Sequence, residues 1–171
     1  SAVDNRIEAL FGRADVYYDL NRFKEALADH DEVLRLKPED PEAHRARGNC
    51  LRMLGNKNGA LASVNKAIAL APAKTNYLAA RADIYFSFGD WEKAAADYAT
   101  YLAAHPTAWL GHQRRGVCLH NLNDLRGAIS AYERTIELNP RSLTACNNLA
   151  WIRATSPDAG ISSERRVWKE C

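Results

Sequence analysis

Five histidines, four cysteines and a scatter of carboxylates are the side chains with which this 171-residue sequence could do chemistry. The histidines are His30, His44, His105, His112 and His120. His112 and His120 stand eight residues apart, too far along one helix to share a metal without a third ligand, and His44 is more distant still. Cys50, Cys118, Cys146 and Cys171 include no C-x-x-C pair, and a disulfide framework is the weaker reading of them. Glu39 and Asp40 adjoin, but just before Pro41 such carboxylates cap a helix rather than share catalytic labour. No Gly-rich phosphate loop, nucleophile elbow or H-E-x-x-H occurs, and GNKNG at 55–59 has no strand before it. The sequence therefore predicts no enzyme, no cofactor and no metal.

Recognition chemistry is what remains. Arg45, Arg47, Arg52, Arg114, Arg115, Arg165 and Arg166 would suit a nucleic acid, but acids such as Glu42 and Asp83 interrupt them. The net charge is only +2, so nucleic acid is not expected as a partner. Hydrophobic residues at 47% and charged residues at 26% are the ordinary balance of a folded domain. No apolar run approaches the ~20 residues of a membrane helix, and no secretory leader is recognisable. Membrane insertion is not expected, and an intracellular, cytoplasmic address is. Ser1 stands where an initiator Met would, which suggests a piece cut from a longer protein.

The elements that position these residues are set by a period. Pro38, Pro72, Pro106 and Pro140 follow one another at intervals of 34 residues. Other columns keep step: Ala26, Ala60, Ala94 and Ala128; Ala14, Gly48, Ala82, Gly116 and Ala150; Tyr17, Leu51, Tyr85 and Leu119. Cys50 and Cys118 share a column with Val16, Ile84 and Ile152, where cysteine serves as a small core residue in a reducing compartment. Each period holds two stretches of 3–4 apolar spacing. Between them comes Asn21, Gly55, Gly89 or Asn123, types that tolerate the left-handed end of a helix. Arg22, Asn56, Asp90 and Asp124 follow, three of them good N-caps. Further helix starts are predicted at Asp40-Pro41, Thr107 and Ser142. The small columns mark close approach of paired helices.

These columns, with the Tyr of YATYLAAHP and SAYERTIELNP and the terminal Pro, resemble the tetratricopeptide repeat. The resemblance implies an all-α, right-handed solenoid of stacked helix-turn-helix hairpins. It places full repeats at 7–40, 41–74, 75–108 and 109–142, after an N-terminal remnant at 1–6. Residues 143–171 become a partial fifth repeat and a C-terminal cap or tail, with a short capping helix at 163–168. Two departures stand out. His44 and His112 occupy a column where the family often has Trp or Leu, and His30 one where Tyr is common.

The resemblance also implies a function. Stacked hairpins present a concave face, lined by the first helix of each, that is suited to a peptide or a helix of a protein partner. Here that face carries Arg45, Asn49 and Arg52, then Asp83 and Phe86, then Gln113, Arg114 and His120, and lastly Asn147 and Trp151. Some members of the family clamp terminal carboxylates with five residues. Arg45, Asn49 and Arg114 match that pattern in register, whereas Ala80 and Leu110 replace the other two. A protein partner carrying acidic groups is the expectation. The alternatives are a docking or self-association module of a larger regulatory enzyme, and a nucleic-acid-binding repeat protein.

Overall fold

The computed structural model describes residues 2–156, which form nine helices and no strand among the described residues. They are α1 (Ala2–Asp19), α2 (Phe23–Leu36), α3 (Pro41–Met53), α4 (Lys57–Leu70), α5 (Asn76–Ser87), α6 (Trp91–Ala104), α7 (Trp109–Asn121), α8 (Leu125–Leu138) and α9 (Leu143–Thr155). Residues 2–6, assigned to a remnant by the repeat register, are the first turns of α1. The expected cap at 163–168 lies outside the described residues.

Turn chemistry follows the sequence closely. Asn21, Gly55, Gly89 and Asn123 have φ of 58°, 77°, 75° and 62°, each ending the first helix of a pair in the left-handed region. The side chains of Asp40, Asn56, Asp124 and Ser142 then accept a hydrogen bond from the backbone N–H three residues on, at 2.9–3.3 Å. Two expected caps differ. The N-cap of α7 is Ala108 and not Thr107, and an alanine has no oxygen to offer. Asp90 holds the N-cap position of α6 without capping it through its side chain.

The chain divides into two compact units, Ser1–Phe88 and Gly89–Cys171. In the first, each core joins a hairpin to the helix that follows it. Leu10 of α1, Val33 of α2 and Ala43 of α3 form one cluster, and Ala14, Ala26 and Cys50 a second. Leu51, Ala60, Val64, Ala80 and Ile84 form a third, across α3, α4 and α5. In the second unit Gly116 of α7 lets the buried Tyr132 of α8 come close, since a Cβ there would stand 2.7 Å from the ring. Ala26, Ala60, Ala94 and Ala128 are fully buried, as the close-approach column requires.

The cysteine column is core, with one exception. Cys50, Ile84, Cys118 and Ile152 are buried, but Val16 is 57% exposed. Cys50 packs with Ala14 and Ala26 of the hairpin before it, and Ile84 with Leu51, Ala60 and Val64. Cys50, Cys118 and Cys146 are buried and form no disulfide. Burial pushes the Cys50 thiol up to about 11 and that of Cys118 to about 12, so neither is a nucleophile at neutral pH. The histidine departures have a local explanation: Nε2–H of His44 donates to the carbonyl of Pro38 (2.9 Å), and Nε2–H of His112 to that of Pro106 (3.0 Å). Each ties a helix start back to the loop before it.

Candidate functional site

In the first unit, α3 and α5 are the first helices of adjacent hairpins and border an open groove of about 370 Å³. Glu42, Arg45 and Asn49 line it from α3, on a shared face because they recur at helical spacing. Asn76, Ala79, Ala80 and Asp83 line it from α5. The two alanines leave width between the helices that a larger side chain would fill. Ala80, in the place of an Asn of the family's carboxylate clamp, packs into the core beneath.

The polar groups are arranged by local pairing. Nε of Arg45 donates to Glu42 Oε2 at 2.7 Å, one turn away, while the hydroxyl of buried Tyr77 donates to Glu42 Oε1 at 2.9 Å. Burial opposes ionisation of Glu42, yet the bonds from Arg45 and Tyr77 outweigh it and hold its carboxyl below the ordinary value. The same contact raises Tyr77: burial first, then the carboxylate it serves, push its hydroxyl up to about 12. Arg45 makes its hydrogen bond through Nε, which leaves its terminal nitrogens without a partner among the described residues. The amides of Asn49 and Asn76 likewise make no hydrogen bond within them.

Of the residues expected on the recognition face, Arg45, Asn49 and Asp83 come together here. Arg52 is committed elsewhere, with Nη1 donating to Ser87 Oγ (3.1 Å) and Nη2 reaching Tyr18 Oη (3.5 Å). Phe86 is half-buried on α5. In the second unit Gln113 is taken up in structure, its Oε1 accepting from the hydroxyl of Ser142 at 2.7 Å and so bracing the start of α9. Arg114 is half-buried on α7. His120 packs on Trp151 with ring centroids 5.2 Å apart, and Trp151 remains 55% exposed beside the exposed Asn147. Sequence reasoning missed Glu42 as a lining residue of the groove and the buried Tyr77 as the support beneath it. The i,i+3 spacing of Glu42 and Arg45 carried the first, whereas the second rests on a tertiary contact that spacing does not show.

A sequence profile of the tetratricopeptide repeat matches residues 11–75 and 79–142. The chain belongs to the tetratricopeptide repeat family. Among curated relatives of this repeat array, human tetratricopeptide repeat protein 13 is 26% identical over 136 residues, covering 77% of this chain and 16% of the relative. The chain thus spans only a small part of that relative's length. Among solved structures, MamA (residue 41 to the end) from Desulfovibrio magneticus RS-1 has a TM-score of 0.81 at 18% identity, covering 94% of this chain and 90% of that one. YrrB, described as a TPR protein with an unusual peptide-binding site, has a TM-score of 0.71 at 20% identity, covering 83% and 73%. Likeness at such identities establishes the fold, an all-α solenoid of tetratricopeptide hairpins.

Among the described residues no group of three or more His, Cys, Asp or Glu could hold a metal ion. No described helix is long and apolar enough to cross a membrane.

Proposed function

We propose that this protein is a non-catalytic interaction scaffold that takes an extended or helical segment of a protein partner in the groove between α3 and α5. The observation that carries the reading is the set of unclaimed polar groups there: the terminal nitrogens of Arg45 and the amides of Asn49 and Asn76. An Asn amide offers a donor and an acceptor side by side, the match of a peptide group. The guanidinium offers planar donors to a carboxylate. Glu42 and Asp83 in the same groove oppose a run of acids, so the preferred segment carries one acidic residue among neutral ones. The likeness to YrrB, a TPR protein with a peptide-binding site, supports a peptide ligand.

Against nucleic acid, arginines that would make a basic face are neutralised locally. Arg6 pairs with Glu32, Arg13 with Asp29, Arg47 with Asp31 and Arg153 with Glu133. Three buried cysteines outside any disulfide favour a reducing, intracellular setting.

The test is a photo-crosslinking amino acid placed at Asn49 in the native host. We expect an adduct whose partner segment, mapped by mass spectrometry, contains an Asp or Glu, and which is lost when Arg45→Glu is added. An adduct indifferent to Arg45→Glu, or the same partner captured from exposed Lys66 on α4, would place the binding elsewhere.

A further inference from the structure

A second column of arginines runs through the repeats at Arg13, Arg47, Arg81 and Arg115, each 34 residues from the last. The first three are held by oxygens of fixed address. Arg13 forks onto Asp29, sixteen residues ahead, with Nε at 2.8 Å and Nη2 at 2.6 Å. Arg47 bridges Asp31, sixteen residues behind, and Ser63, sixteen ahead, both at 2.6 Å. Arg81 donates to Asn65, sixteen behind, at 3.0 Å. The rule is geometric. In each case one partner position lies on the second helix of the same hairpin and the other on the helix before it.

Applied to Arg115, the rule leads to Ala99 on α6 and Ala131 on α8, neither of which has a side-chain acceptor. Arg115 accordingly makes no hydrogen bond or ion pair among the described residues, and its Nε is buried without a partner. A guanidinium N–H removed from water and left unmatched is unfavourable, and any oxygen that reaches it is favoured strongly. The Arg115 side chain as a whole is only partly buried, and of the two positions named by the rule Ala99 is exposed and Ala131 buried. The chain also shows the size of the missing group. Ala131 occupies the column of Asp29, and an alanine differs from an aspartate by one carboxylate.

We propose that Arg115 is a docking point for a side-chain carboxylate of a protein partner, an Asp or Glu that supplies in trans what Asp29 supplies to Arg13. The site lies wholly within the second unit and does not depend on the groove between α3 and α5. A planar carboxylate satisfies both Nε–H and a terminal N–H at once, the fork that Arg13 already displays.

Acetate, the smallest such carboxylate, is the probe. In protein labelled with ¹⁵N-arginine, the Nε–Hε signal of Arg115, assigned by its loss in Arg115→Lys, is followed through an acetate titration against chloride at matched ionic strength. The expected result is a saturating shift with acetate alone, several times larger than those of Arg13 and Arg47, whose positions are filled. In Ala131→Asp the carboxylate is built in, so the Arg115 signal should start near the shifted position and respond no further. Ala99→Asp, which reproduces the relation of Asp31 to Arg47, gives the same readout if Ala131→Asp does not fold. A shift common to chloride, no shift at all, or full acetate response in an aspartate variant that is folded would each overturn the assignment.

Discussion

His30 shows how much one side chain can report. It occupies the column of Tyr98 and Tyr132, is only 2% exposed, and packs on Phe11 with ring centroids 5.7 Å apart. Its Nδ1 is buried without a partner. Burial lowers its pKa below the ordinary 6.5 and outweighs the nearby acids, of which Asp15 and Asp29 act most in the other direction. The sign follows from that direction. The folded state keeps His30 neutral while the unfolded chain protonates it, so its contribution is complete above pH 6.5 and is lost as pH falls toward the folded pKa. Between pH 7 and 5.5 the wild type should lose stability on this account, before most carboxylates begin to titrate. His30→Tyr, the residue at this position in the third and fourth repeats, should flatten that slope. Urea midpoints of both proteins at the two pH values decide it, and equal slopes would mean that His30 is not the neutral core residue described.

At the scale of the element, two glycines in first helices predict opposite outcomes for one substitution. Exchange of a helical Gly for Ala gains up to about 1 kcal/mol from backbone entropy. At Gly12, on the exposed side of α1, an added Cβ meets nothing within 4 Å, so Gly12→Ala should realise most of that gain. At Gly116 the Cβ would stand 2.7 Å from Cε1 and 2.9 Å from Cδ1 of Tyr132. That ring is fully buried, and its hydroxyl accepts from Asn148 Nδ2 at 3.1 Å, so it has little freedom to withdraw. Overpacking costs roughly 1–3 kcal/mol and exceeds the entropic gain, so Gly116→Ala should destabilise by about 1 kcal/mol net. Denaturation midpoints that move in the same direction for both variants would contradict the packing of α7 against α8.

Over the whole molecule, the 34-residue period made the fold legible because each repeat faces the same problem and solves it with the same residue types. Proline, the alanine column and the Asn or Gly turn residues fixed helix boundaries without any appeal to long-range contacts. Val16 is the exception, exposed in a column whose other members are buried. The site was less legible. Periodicity names a face, but side chains on it compete for local partners: Gln113 is taken by Ser142, and Arg52 by Ser87 and Tyr18. Arg45 and Asn49 kept their capacity because their neighbours left it unused.

The central claim is that this surviving capacity in the groove between α3 and α5 binds an acid-bearing segment of a partner. Its most direct measurement is calorimetric titration of the segment mapped from the Asn49 crosslink, made as a synthetic peptide, into the wild-type protein and Arg45→Glu. Charge reversal should weaken binding at least about tenfold, or ~1.4 kcal/mol, and Lys66→Glu on α4 should leave it unchanged. The wild-type affinity should also fall with added salt. Equal affinity for wild type and Arg45→Glu, with helicity intact by circular dichroism, would contradict the account.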